Sequence, residues 1–157
     1  MIELPEFQRQ VVAFTRAFGW HRPDETPCGQ PVPIAEAHAL LELSRTPGLT
    51  QKELGTALNL RKSTVSRLVK KLERRGWAAR NPCRDDGRAI RVSLTDAGVR
   101  TAGTMASARA VKMASILEAI PAGERAMVIS ALGTLVEATR NTAGTESRPP
   151  DPTYESS

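Results

Sequence analysis

The sequence predicts a mainly helical protein that carries one small β-hairpin. Three observations lead to this prediction. Apolar residues recur at helical spacing along most of the 157 residues. Between residues 77 and 95 the pattern changes to the alternation typical of paired strands. Aromatic residues make up 4% of the chain, so we expect a core built from small aliphatic side chains.

The N-terminal part predicts two helices separated by a loop. The first helix covers Glu6–Phe18, where Phe7 and Val11 fall on one side. Residues 20–33 contain too many prolines and glycines for a helix. The second helix is expected over Ile34–Ser44, and the residues "RTPG" end it.

Two more helices follow, joined by a tight turn. Thr50 and Glu53 have the spacing of a capping box, so a short helix begins at Thr50. The next helix lies in residues 61–76, "RKSTVSRLVKKLERRG", and Gly76 fits its C-terminal cap. Its inward face is expected to consist of Val65, Leu68, Val69 and Leu72.

A hairpin follows the fourth helix. Ile90, Val92 and Leu94 alternate with Arg91 and Ser93, which is a period of two. The residues "WAARNP" predict the partner strand, and "CRDDGR" predicts the charged turn between the strands.

Two helices are predicted after the hairpin. Thr95 is expected to cap a long helix that reaches about Ile120. Pro121 interrupts the pattern, and a last helix covers about Glu124–Arg140. The tail from residue 141 has no apolar pattern, and we expect it to be disordered.

Positive charge is concentrated in one window. Residues 61–91 contain eleven basic and three acidic residues, a net charge of +8, whereas the whole chain carries +5. The remainder is therefore slightly acidic. Such a distribution is the expected footprint of a surface that binds the phosphates of nucleic acid.

Two helices joined by a tight turn and followed by a hairpin describe a winged helix-turn-helix. The major groove of DNA admits one helix, and short hydroxyl side chains or arginines near its N-terminus meet the base edges. In the wing, Arg88 would enter the minor groove, with Asp86 holding it extended. The predicted DNA-binding residues are Arg61, Lys62, Ser63, Thr64, Ser66, Arg67, Lys70, Arg84, Asp86 and Arg88.

The segment Ile34–Arg140 resembles the MarR family of bacterial transcriptional regulators. The resemblance rests on "STVSRLVKKLERRG", on Asp86-Gly87-Arg88 and on "VSLTDAG". It implies a homodimer that binds double-stranded DNA at a pseudo-palindromic operator, mostly as a repressor released by a small ligand or by oxidation. The two cysteines, Cys28 and Cys83, lie far apart without CxxC spacing, so a cytoplasmic location is expected. One departure is the short first helix, which a proline-rich loop separates from the second.

The resemblance divides the chain into four parts. Residues 1–33 form an N-terminal dimerisation and ligand region, and residues 34–95 form the winged DNA-binding lobe. Residues 96–140 form the C-terminal dimerisation helices, and residues 141–157 form the tail. A ligand pocket is expected where the first two helices meet the long one. Its candidate residues are Arg16, Trp20, His21 and His38, although each would also serve to fill space.

Cys28 has three interpretations. It is an incidental thiol, a redox sensor beside Arg22, or a zinc ligand together with His38 and Glu36 or Glu42. Zinc-sensing relatives also use histidines on the long helix, and that helix has none here. No metal site and no cofactor is therefore predicted.

Other classes of protein fit less well. We find no Ser/His/Asp set and no phosphate-binding loop, so an enzyme is not expected. A run of 18 apolar residues and a secretory signal are both absent, so no membrane association is expected. The main rival is a protein-interaction module that uses the acidic residues of the wing.

Overall fold

The computed structural model describes residues 4–82 and 89–143, and the predicted mainly helical class with a small antiparallel sheet is confirmed. The elements are α1 (Leu4–Phe18), α2 (Ile34–Arg45), β1 (Leu49–Thr50), α3 (Gln51–Leu58), α4 (Lys62–Arg74), β2 (Ala78–Pro82), β3 (Ile90–Leu94), α5 (Asp96–Ala119), a short 3-10 helix (Ala122–Glu124) and α6 (Arg125–Ala143). The turn predicted at residues 83–88 and residues 144–157 of the predicted tail lie outside the described residues. The prediction of a disordered tail from residue 141 was wrong for residues 141–143, which continue α6.

The sheet has three strands in the order β1-β3-β2, all antiparallel. The hairpin of β2 and β3 was predicted, but β1 was not. Leu49 pairs with Val92, and the Arg91 guanidinium donates to the Gly48 carbonyl oxygen at 2.7 Å. A strand of two residues is too short to show a period, so its pairing depends on β3 being placed first.

One apolar cluster unites α2, α3, α4 and the sheet. On β3, Val92 is fully buried, whereas Ile90 is half exposed. The predicted inward face of α4 is confirmed, because all four of its apolar residues are buried. The largest fully buried side chains are Leu40, Leu43, Leu54, Leu72, Val65, Val69 and Val92.

The predicted caps of α3 and α4 are present. The Glu53 backbone N–H donates to Thr50 Oγ1 at 3.2 Å, and the Thr50 N–H donates to Glu53 Oε2 at 2.7 Å. Thr50 Oγ1 also donates to Glu53 Oε2 at 2.9 Å, and the two hydrogen bonds that this carboxylate accepts from Thr50 lower the pKa of Glu53. Helix α4 ends with the Gly76 N–H bonded to the Glu73 carbonyl at a φ of 71°, which glycine adopts freely.

Residue 98 is where α5 touches the base of the hairpin. Thr95 Oγ1 accepts from the Gly98 N–H at 3.1 Å and donates to the Gly76 carbonyl oxygen at 2.6 Å, so it caps α5 as predicted. A Cβ atom at Gly98 would lie 1.9 Å from the Trp77 carbonyl oxygen. Glycine is therefore required for α5 to begin at this position.

The chain forms two compact units, which divide between Met113 and Ala114. In the second unit, Arg125 Nε donates to the Ile120 carbonyl oxygen at 3.0 Å and binds the last turn of α5. No single helix in the described part of the chain is long and apolar enough to cross a membrane; α5 and α6 pass that test together, as a pair that is bent at the break between them.

We predict that Gly98→Ala destabilises the fold by about 2 kcal/mol or more, because its methyl group has to displace backbone rather than a flexible side chain. The matched control is Gly103→Ala on the same helix, where no atom lies within 4 Å. That change should stabilise the protein by roughly 0.5–1 kcal/mol through helix propensity. Chemical denaturation measures both, and equal effects would contradict the close approach at Gly98.

Candidate nucleic-acid interface and cavity

Helix α4 has one buried apolar face and one exposed cationic face. The side chains on the exposed face include both long cations and a short hydroxyl, and Thr64 and Ser66 are partly exposed beside them. The exposed residues are Arg61, Lys62, Ser63, Arg67, Lys70, Lys71 and Arg74. Of the predicted site residues, those on α4 are thus brought together on one surface.

The N-terminus of α4 is open to an anion. Arg61 is the N-cap residue, and its side chain makes no capping hydrogen bond. The first turn contains no acidic residue. The first backbone N–H groups of a helix have no partner within it, and the helix dipole adds positive potential there. Arg61 and Lys62 add positive charge at this end of α4, so the N-terminus of the helix favours phosphate binding.

A close approach sets the angle between α3 and α4. Asn59 ends α3 with a φ of 54°, and the Leu60 N–H donates to the Gly55 carbonyl oxygen at 2.8 Å. A Cβ atom at Gly55 would lie 3.1 Å from the Leu60 carbonyl oxygen and 3.1 Å from Val65. A larger residue at position 55 would therefore push α4 away from α3.

The C-terminal end of α4 is joined to its neighbours by two ion pairs. Glu73, the acidic residue of α4, lies 3.3 Å from Arg80 Nε on β2. Arg75 Nε lies 2.6 Å from Glu36 Oε2 on α2, and the Arg75 guanidinium lies 4.8 Å from the centre of the Trp77 ring. In both pairs the distance suits an ion pair, while the direction is not that of a hydrogen bond.

The tip of the hairpin falls outside the described residues. Arg84, Asp86 and Arg88 belong to it, so their placement in the wing stays a prediction. The strands that lead to the tip, β2 and β3, are described, and their register pairs Pro82 with Ile90. Pro82 and Ile90 are both exposed, so the described end of the hairpin lies outside the core.

A cavity of about 220 Å³ lies between α1, α2 and α5. Of the four residues predicted to bind a ligand, Trp20 and His38 line this cavity, whereas Arg16 and His21 are not among its lining residues. Two cations that sequence reasoning missed, Arg109 and Lys112, also line it. Their spacing of three residues on a helix was the available signal, because it places both on one side. The other walls are mainly apolar.

Electrostatics in the cavity favour negative charge in a ligand. Burial on the cavity side lowers the pKa of His38, and the nearby positive charge of Arg109 lowers it further. The His38 side chain is nevertheless exposed to solvent. Arg109 and Lys112 give the cavity wall a positive potential.

Cys28 lies in the cavity wall as a free thiol, with its Sγ atom 3.0 Å from Thr26 Oγ1. The two carboxylates named as possible zinc partners are engaged in ion pairs. Glu36 pairs with Arg75, and Glu42 pairs with Arg45 at 2.8 Å. Over residues 4–82 and 89–143, no group of three or more His, Cys, Asp or Glu side chains could hold a metal ion.

Comparison with known proteins identifies the lobe. Residues 30–89 match the MarR family. No curated protein shows significant similarity to the chain.

Among solved structures, the chain is similar to the PcaV transcriptional regulator from Streptomyces coelicolor, crystallised in complex with its natural ligand. The identity is 23%, the TM-score is 0.66, and the match covers 87% of this chain and 94% of PcaV. MepR from Staphylococcus aureus in complex with DNA matches at 19% identity and a TM-score of 0.69, over 87% of this chain and 99% of MepR.

FabT from Streptococcus pneumoniae in complex with DNA is also similar. It matches at 19% identity and a TM-score of 0.66, over 88% of this chain and 92% of FabT. At these identities the three likenesses establish the fold. The family match confirms the resemblance predicted from the sequence over residues 30–89.

We predict that Arg109→Gln raises the pKa of His38, because it removes the positive charge of Arg109, which disfavours protonation of the His38 ring. The pKa should stay below the ordinary value of about 6.5, since burial still acts. Titration of the His38 ring by NMR measures the change. Arg100→Gln, an exposed cation of the same helix, is the control, and an equal rise in that variant would contradict the assignment.

Proposed function

We propose, on the premise that residues 30–89 form a MarR-family lobe, that the chain is a homodimeric transcription regulator that binds duplex DNA. The observation that carries this proposal is the cationic, solvent-facing side of α4, which lies opposite its buried stripe and next to a hairpin. The similar folds of MepR and FabT, both solved with DNA, support it. The chain would act in the cytoplasm, where a bacterial regulator meets DNA.

Helix α4 would lie in the major groove, with two kinds of contact. Arg67, Ser63, Thr64 and Ser66 would meet base edges, since a groove admits one helix and these side chains lie on its exposed side. Arg61, Lys62 and Lys70 would contact phosphates and supply affinity without selectivity. In the hairpin, Arg84 and Arg88 would enter the minor groove, and Asp86 would hold Arg88 extended.

A dimer is proposed because each unit exposes an apolar helix face. In the first unit, α1 exposes Phe7, Val11 and Phe14. In the second unit, α6 exposes a stripe of Ile129, Leu132, Leu135 and Val136. Contiguous apolar surface of this kind is rare on monomers and marks an interface. Two copies of α4 would then meet the two half-sites of a pseudo-palindromic operator.

The cavity would hold a small effector that releases the DNA, so the regulator would act as a repressor. Its apolar walls suit an apolar body, and Arg109 and Lys112 suit an anionic group. PcaV, which has a similar fold, was solved with a ligand. Binding would shift the population between dimers whose α4 helices match the half-site spacing and dimers whose helices do not. No observation favours a redox role for Cys28 over this one.

We predict that Arg67→Ala and Lys70→Ala weaken DNA binding in different ways. A duplex would first be selected from a random pool, and its affinity measured at several salt concentrations. Loss of a base contact at Arg67 should cost about 1–3 kcal/mol and relax selectivity at one position. Loss of a phosphate contact at Lys70 should weaken binding to all sequences and reduce the salt slope by about one.

The control for this pair is Arg100→Ala, which removes an exposed cation outside α4. It should leave binding nearly unchanged. Duplex binding without salt dependence, or equal losses in all three variants, would contradict the placement of α4. No duplex binding at all in dilute buffer would favour the protein-interaction module instead.

We predict that Leu132→Glu converts the dimer to a monomer, because it places a charge in the apolar stripe of α6. Ser130→Glu is the matched control, since residue 130 lies on the opposite side of that helix. Analytical ultracentrifugation gives the oligomeric state of both variants. A wild-type protein that sediments as a monomer would refute the dimer.

A further inference from the structure

We infer that Glu36 couples the contents of the cavity to the position of α4 through its ion pair with Arg75. The inference rests on the proposed function, because it states how an effector in the cavity would reach the DNA-binding helix. Glu36 touches neither the cavity nor the proposed DNA surface and acts through Arg75. It is therefore a positioning residue.

The coupling begins in the first turns of α2. Ile34, Ala37 and His38 line the cavity, and Glu36 lies in the same turn but is not part of the wall. The Glu36 side chain is 4% exposed. A helical turn moves as a rigid body, so a ligand that displaces the wall residues also displaces the Glu36 carboxylate.

The second step runs from Glu36 to the end of α4. Arg75 Nε lies 2.6 Å from Glu36 Oε2, and no hydrogen bond reaches this buried oxygen. A buried carboxylate is costly unless a cation compensates it. Arg75 therefore follows Glu36 when α2 moves. Arg75 is the C-cap residue of α4, so the end of that helix moves with it.

Trp77 also contacts Arg75. The Arg75 guanidinium stacks over the Trp77 ring at 4.8 Å, a favourable cation–π contact. Trp77 packs on the cluster of Val32, Ala37 and Met105. The Trp77 ring is therefore placed to report a change in the position of Arg75.

Another pair on α2 offers an internal comparison. Glu42 pairs with Arg45 at 2.8 Å, and both residues belong to α2. This pair joins the same residue types at a similar distance but connects no other element. Loss of Glu42 therefore removes a carboxylate and an ion pair without cutting a path between the cavity and α4.

The experiment attaches a small group to Cys28 so that the group fills the cavity. It uses a Cys83→Ser variant, in which Cys28 is the one remaining thiol. The Cys28 thiolate attacks the sulfenyl sulfur of methyl methanethiosulfonate, a disulfide bond forms, and methanesulfinate leaves. Cys28→Met fills the same space without a reagent. Affinity for a duplex selected from a random pool is measured before and after filling, with Glu36 intact, with Glu36→Gln and with Glu42→Gln.

We expect filling to weaken duplex binding about 5-fold or more when Glu36 is intact and in Glu42→Gln. In Glu36→Gln the same filling should weaken it less than about 2-fold, because α4 no longer follows α2. The ratio of the affinities before and after filling does not depend on a general loss of stability or of DNA affinity. Equal weakening in all three backgrounds, or no weakening in any, would overturn the inference.

Tryptophan emission tests the coupling without DNA. Trp20→Phe leaves Trp77 as the one tryptophan of the chain. Filling should shift the Trp77 emission with Glu36 intact and shift it less in Glu36→Gln. If the unfilled protein binds no duplex, the proposed function fails, yet the emission still decides the coupling. An emission that responds identically in both backgrounds would refute it.

Discussion

The buried stripe of α4 is the constraint on which the winged lobe depends. Its four apolar residues join one cluster with α2, α3 and β3, and Val65, Val69 and Leu72 have no exposed surface. Burying such a side chain contributes about 1.5–3 kcal/mol, which exceeds the worth of most surface ion pairs. Apolar packing therefore fixes the rotation of α4 about its axis. The cations face solvent as a consequence, and they determine what the exposed side can bind.

The junction at Trp77 connects this lobe to the long helix. The Trp77 carbonyl oxygen accepts from the Thr95 N–H at 3.0 Å, and Gly98 leaves room for that oxygen. The Trp77 ring meanwhile stacks under Arg75. One residue thus contacts the end of α4, the start of β2 and the start of α5. In the proposed regulator, this junction would connect the cavity to α4 through atoms in contact.

Local patterns predicted most of the fold because the interactions that create them are local. The capping box at Thr50 and Glu53, the Gly76 terminator and the period of α4 each involve residues within about one turn. Strand β1 could not be predicted, since two residues show no period and need Arg91 and Val92 as partners. Arg109 and Lys112 were missed for a related reason. Nothing near them in sequence shows that they face His38.

The sequence by itself determined the winged lobe, the cationic side of α4 and the family resemblance, because these follow from spacing along the chain. Tertiary structure alone decided which side chains meet across elements. It placed Trp20 and His38 in one cavity with two unforeseen cations, and it left Arg16 and His21 out. It also joined Glu36 to Arg75, which are 39 positions apart. Contacts of this kind depend on how helices pack, and side-chain packing in three dimensions leaves no periodic trace in a single sequence.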